Sequence, residues 1–309
     1  MDGFPRGSTL YCPEARMKSG TKLKFIISML IFGTLGLVVS KIDLPSMVIV
    51  FMRTTIGSAA LALVMLIKRE RFDRAAIKTD RWRLVASGVC LGGSWVALFE
   101  AYKYAGVSVG TLLYYSAPIA VFLLSPLLLK EKIRLRQAIG MAAAAVGVII
   151  INGVSRGGED SSYGMICALV SAALYAGIML FNKGMKAKVP PVQSTLIQLA
   201  VAAVVVGTYV FLAEKSEWSI RFDMNLAWLI VLGIVHTGIA CSMYFSSLQT
   251  MPAQSAAVLS YIDPVSAIIF SAIVLGEKMT LVQVFGAVLI LGGTIFSQIN
   301  ISEKSAARN

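Results

Sequence analysis

The sequence predicts an all-α integral membrane protein of about ten transmembrane helices, laid out as two inverted five-helix repeats. Three observations predict it. Hydrophobic residues make up 57% of the 309 and charged residues 14%, against about 25% charge in a soluble domain, and mean hydropathy is +0.77. Apolar runs of spanning length recur about ten times, and about 20 such residues cross a hydrocarbon core as a helix. Finally, residues 113–149 realign on residues 259–295 without a gap, at an offset of 146.

That realignment gives 12 identities in 37 positions, where apolar composition alone gives roughly three or four. Tyr115 meets Tyr261, Pro118 meets Pro264, Glu131-Lys132 meets Glu277-Lys278, and Gly140 and Gly147 meet Gly286 and Gly293. Each copy is an apolar run holding a proline, a short charged elbow, and a second apolar run with glycines at packing spacing.

In chain order, residues 1–22 form a polar, basic tail; residues 1–16 read as disordered, or as an upstream start ahead of Met17. The first repeat covers 23–152, with spans at roughly 25–40, 47–67, 84–104, 107–129 and 134–152. No small-residue cleavage site follows the first run, so it is a retained span and not a signal peptide. The second repeat covers 163–299, with spans at roughly 190–213, 225–249, 253–275 and 280–299 after a first at 163–183. Residues 300–309 are a tail. Of the four cysteines, Cys90, Cys167 and Cys241 sit in apolar runs and Cys12 in the tail, which predicts thiols and no disulfide framework.

Charge sets the orientation. With both termini in the cytoplasm, 21 lysines and arginines fall on the inner side and six on the outer, leaving Arg53 inside a span. That asymmetry is a positive-inside signal, and it accounts for the net charge of +12 without a nucleic-acid partner. A period of five helices is odd, so the second repeat enters the membrane the other way up. Inverted halves of this kind place a substrate near the midplane between them.

The stretches Tyr114-Tyr115-Ser116-Ala117-Pro118 leading to Leu129-Lys130-Glu131-Lys132, and Ser260-Tyr261-Ile262-Asp263-Pro264 leading to Leu275-Gly276-Glu277-Lys278, resemble the drug/metabolite transporter superfamily, EamA type. The resemblance covers roughly residues 23–299. It implies a plasma- or inner-membrane permease that exports or exchanges small metabolites such as amino acids; relatives carry nucleotide sugars or phosphorylated sugars. The motifs describe a fold and not a ligand.

Polar groups inside the spans are the candidate site. Pro118 and Pro264 free the carbonyls of Tyr114 and Ser260 and are candidate hinges. His236, the one histidine, and Asp263 lie deep in the second half, where titratable groups are functional by default. Trp95, Phe99, Tyr102, Tyr114, Tyr115, Tyr175, Tyr244 and Tyr261 form an aromatic cluster, of which Trp95, Tyr114, Tyr115, Tyr244 and Tyr261 are the candidate cavity residues. Phenols pair an apolar face with a polar tip, suited to a small zwitterion or an organic cation. Tyr102 and Tyr104 read as an interfacial belt. Arg53 and Glu100, at similar depth below the outer surface, are expected to pair, since each is costly alone. Glu131 and Glu277, at helix boundaries, read as caps. The glycines of the fifth and tenth helices are expected to pack within the chain, with a homodimer contact as the weaker reading.

The expected function is a secondary active transporter working by alternating access around a cavity lined by helices one to four and six to nine. Its partners would be a small polar substrate, with amino acids the leading class, and the lipid bilayer. Protons are a candidate coupling ion. The alternatives are an organic-cation or multidrug exporter, or a component of a lipid-head-group flippase. No metal, cofactor or catalytic spacing is apparent in the sequence, so no enzyme is expected.

Overall fold

The computed structural model describes residues 19–152, 161–187, 189–213, 224–275 and 280–298. The C-terminal tail, Arg156 and the Glu277-Lys278 elbow lie outside the described residues, as does the N-terminal tail up to residue 18. Helix α1 starts at Ser19, inside the segment 1–22 expected to be a tail.

Among the described residues the chain is helical throughout, with no strand. The first repeat holds α1 (Ser19–Gly33), α2 (Leu35–Val39), α3 (Ser46–Ile67), α4 (Arg74–Ala105), α5 (Val107–Tyr114), α6 (Ala117–Leu129) and α7 (Leu135–Asn152). The second holds α8 (Ser161–Lys183), α9 (Pro191–Ala213), α10 (Met224–Val231), a π segment (Leu232–Ile239), α11 (Ala240–Leu248), α12 (Ala253–Leu259), α13 (Ile262–Leu275) and α14 (Leu281–Gln298). Eight stretches are long and apolar enough to cross a membrane, while α7 and α14 carry the shorter apolar stretches Leu135–Ile150 and Val284–Gln298.

Four of the eight long stretches are interrupted, each for a local reason. Between α1 and α2 the Thr34 hydroxyl donates to the Ile31 carbonyl at 2.7 Å, a side-chain bond that competes with the helix ladder. Between α5 and α6 the chain turns at Tyr115–Ser116, two residues ahead of Pro118. The α12–α13 break at Ser260–Tyr261 likewise precedes Pro264. Both prolines occupy the first turn of the second half-helix, where a missing N–H costs nothing. The fourth interruption has no proline: in the π segment the Thr237 hydroxyl donates to the Leu232 carbonyl, five residues back, at 3.0 Å. α4 bends instead at its entry, where Asp80 leaves helical geometry (φ −115°, ψ 17°). The Asp80 carboxylate accepts from the Ala187 N–H and from Arg83, both at 2.6 Å.

Packing follows the small residues. α4 lies between α8 and α9, and Ser94 and Ser171 exchange hydrogen bonds with each other's carbonyls across the α4–α8 seam. α7 lies against α14. There a Cβ on Gly147 would stand 2.7 Å from the Gly286 carbonyl oxygen, and one on Gly293 would stand 2.7 Å from that of Gly140. No larger residue fits those positions, so the two backbones touch. This is the within-chain packing expected of these glycines. Glu131 accepts from the N–H groups of Ala253 and Gln254 at 3.0 and 3.3 Å. It therefore caps α12, a helix of the other repeat, rather than its own neighbour in sequence.

Candidate functional site

α1 to α5, α8, the π segment with α11, and α13 together enclose a cavity of about 540 Å³. It runs from Val39 and Ser46, where α2 hands over to α3, down to Leu91, Ile178 and Phe245. The seventh span, α9, contributes no lining residue among those described; it backs α4 from outside, contrary to the expected lining.

α4 supplies one wall through Leu91, Ser94, Trp95, Leu98, Phe99 and Tyr102, a single stripe at three- and four-residue spacing. Arg53, on α3, crosses to this wall and sits over Trp95, its guanidinium carbon 4.2 Å from the ring centroid. Arg53 is 7% exposed. It forms no ion pair among the described residues, and its Nε has no hydrogen-bond partner.

Opposite stands a tyrosine stack. Tyr114 and Tyr175 have ring centroids 5.1 Å apart, and Tyr175 lies parallel to Tyr244 at 6.5 Å. The Tyr244 hydroxyl donates to that of Tyr175 at 3.0 Å. Asp263 enters from the first turn of α13, where the positive end of the helix dipole favours a carboxylate. It pairs with no cation among the described residues. Arg53 and Asp263 are the only formally charged side chains among the described lining residues.

His236 is placed by the π segment, and is 4% exposed. Its Nε2 lies 3.0 Å from the Thr34 hydroxyl. Which of the two donates depends on the tautomer of the ring. The Nδ1 atom makes no hydrogen bond. The break in the first span and the distorted turn in the eighth are thus joined by one hydrogen bond at the cavity wall.

Of the residues singled out from sequence, Arg53, Trp95, Tyr114, Tyr115, His236, Tyr244 and Asp263 line this cavity. Glu100 and Tyr261 do not. Glu100 accepts from the Tyr209 hydroxyl and faces a separate groove between α4, α8 and α9, so the expected Arg53–Glu100 pair is absent. The reason is angular: Trp95 meets Arg53, and five residues further on, at 100° each, the α4 side chain points 140° away. Tyr261 is fully buried, and its hydroxyl donates to the Tyr115 carbonyl at 2.9 Å. Tyr102 and Tyr175 line the cavity without having been assigned to it. Tyr102 stands seven residues from Trp95 on the same stripe and accepts from the Thr111 hydroxyl at 3.1 Å; that spacing was the signal for it. Pro118 and Pro264 stand behind the wall, next to the breaks they enforce.

One helical turn below Leu91, Ile178 and Phe245 lies a buried polar network. Gln198 accepts from Ser87 at 2.6 Å and from Asn182 at 2.9 Å. It donates to the Asn182 oxygen at 3.1 Å and to Ser194 at 3.0 Å. Gln249 reaches Ser194 at 3.3 Å. These bonds tie α4, α8, α9 and α11 together beneath the cavity. At the same end Lys183 lies 3.8 Å from the capping carboxylate of Glu131.

The sequence model of the EamA-like transporter family matches residues 22–153 and, separately, residues 162–298. The chain is similar to the uncharacterized transporter YxxF of Bacillus subtilis, at 26% identity over 94% of each chain. It is also similar to YwfM of the same organism, at 27% identity over 82% of this chain and 85% of the relative. Protein PecM of Dickeya dadantii is 26% identical over 70% of this chain and 73% of its own length. A crystal structure superposes with a TM-score of 0.80 at 20% identity, covering 91% of this chain and 99% of that one; at that identity it speaks for the fold alone. With two family matches spanning nearly all of the chain, and helices apolar enough to cross a membrane repeatedly, the protein is a multi-pass membrane protein that belongs to the EamA-like transporter family.

Proposed function

We propose that the protein is a secondary transporter of ten membrane crossings in two inverted repeats, exporting or exchanging a small polar metabolite by alternating access. In this reading α7 and α14 complete the set of crossings. Inversion is supported by contacts that exchange partners under the 146-residue offset. Gly140 meets Gly293 while Gly147 meets Gly286, and that swap is what a two-fold axis between α7 and α14 requires. The positive-inside count puts the loop 68–73 and the end of α8 in the cytoplasm, and so places the Ser46 end of the cavity outside.

The observation that carries the reading is the contrast between the two ends of one cavity. Its lining extends to Val39 and Ser46, the end that this orientation assigns to the extracellular side. Its floor is backed on the cytoplasmic side by the Ser87–Asn182–Gln198 network. The conformer is therefore outward-facing, with a neutral polar latch holding the inner side shut. Amino acids and their relatives are the leading substrate class, because an unpaired cation and an unpaired acid share one aromatic chamber. Energy would come from a gradient of substrate, proton or another ion.

Flux into proteoliposomes across a metabolite panel, with and without a pH gradient, tests the reading. Saturable flux of at least one amino acid or related metabolite is expected. A folded protein that moves no small metabolite would end it.

A further inference from the structure

The guanidinium of Arg53 is buried, charged and unpaired, an arrangement a membrane protein does not keep without use. An isolated arginine within a span costs several kcal/mol, and such residues normally pair with an acid or a backbone carbonyl. Arg53 does neither among the described residues, although Asp263 lines the same cavity.

What Arg53 has instead is a platform. Contact with the Trp95 ring holds the guanidinium at the cavity wall without using its N–H donors. The unpartnered Nε belongs to the edge that receives a carboxylate through two parallel bonds. Holding the group in place in advance removes part of the ordering cost of binding. We infer that Arg53, held against Trp95, is the anchor for a carboxylate on the transported molecule, whose apolar body rests against the Tyr114–Tyr175–Tyr244 stack.

The charge inventory narrows the head group. Arg53 is the sole lysine or arginine among the described lining residues, and Asp263 is the sole acid. A phosphate dianion would bring two negative charges to one cation. A monocarboxylate brings one, which Arg53 alone can balance. Head-group preference also separates this role from a plain structural clamp between α3 and α4, because a clamp has none.

The inference rests on the proposed transport function, and its test separates the two. Three probes share a body and differ only in their heads: 3-phenylpropionate, 3-phenylpropanamide and 3-phenylpropylamine. Ligands of the folded state raise its melting temperature. In purified wild-type protein the carboxylate should do so more strongly than the amide or the amine. Arg53→Gln should weaken carboxylate affinity about 30-fold or more, the usual consequence of removing one partner of a buried charged pair. Arg53→Lys, which keeps the charge and loses the fork, should fall between. A wild-type protein that ignores the carboxylate, or responds equally to the amine, overturns the inference without any variant having to fold. So does a folded Arg53→Gln protein that keeps the carboxylate response. If flux measurements find substrates but none bears a carboxylate, the anchor falls and transport stands. If the carboxylate binds through Arg53 and no compound is moved, transport falls and the anchor stands.

Discussion

Gln198 is where the proposed inner gate is most exposed to test. Its side chain makes three hydrogen bonds to other helices, two with Asn182 and one with Ser87. The fourth, to Ser194, stays within α9. Interhelical bonds of this kind in membrane proteins contribute about 0.6 kcal/mol each, so the three contribute about 2 kcal/mol. Gln198→Ala should therefore shift the balance toward the inward-open state about 30-fold. Cys241 lines the cavity and serves as a native reporter once Cys12, Cys90 and Cys167 are changed to serine. In inside-out vesicles its reaction with a membrane-impermeant thiol reagent should quicken about 30-fold in the Gln198→Ala protein. In right-side-out vesicles it should slow. If the rate from the cytoplasmic side stays within about twofold of wild type in a protein that is folded, the network is not what closes that side. Asn182→Leu, which breaks the same junction from α8, should give the same direction.

Asp263→Asn should insert normally yet cut flux at least about tenfold, measured in proteoliposomes at matched protein; unaltered flux would remove Asp263 from the mechanism. Thr34→Val should cost about 1–2 kcal/mol by leaving His236 Nε2 without its hydrogen-bond partner, and thermal unfolding of single and double variants with His236→Ala should show the two effects are not additive. Gly147→Leu should destabilise by about 1–3 kcal/mol or more, since its Cβ has no room beside the Gly286 carbonyl; an unchanged melting temperature would contradict the α7–α14 contact. A cysteine placed at Arg156 should label from the extracellular side only, and labelling from the cytoplasm would reverse the proposed orientation.

How much was legible divides along physical lines. Pro118 and Pro264 announce broken helices because a missing N–H acts locally, and the breaks stand within four residues of them. The π segment around His236 left no such mark: Leu232–Ile239 contains no proline, and a threonine inside an apolar run does not announce a π turn. Arg53 and Glu100 failed as a pair because shared depth was taken as proximity. Depth follows from residue count, but the direction a side chain takes follows from which face of its helix is packed. The stripe from Leu91 to Tyr102 recorded that face all along, and it excludes position 100. Tyr115 and Tyr261 occupy equivalent places in the two repeats, yet one lines the cavity and the other is buried. A repeat states what is alike, and a single conformer shows the halves unlike.

The latch beneath the cavity is built from serine, asparagine and glutamine. Each elementary charge moved across the membrane potential is worth about 2.3 kcal/mol per 100 mV, and these side chains carry none. If this network is the inner gate, its own side chains carry no charge across the field when it opens and closes. The formal charges nearest the proposed pathway are then Arg53 and Asp263 in the chamber and the Lys183–Glu131 pair at the inner end, so a current recorded from this protein would report on those groups and on the cargo, and not on the network itself.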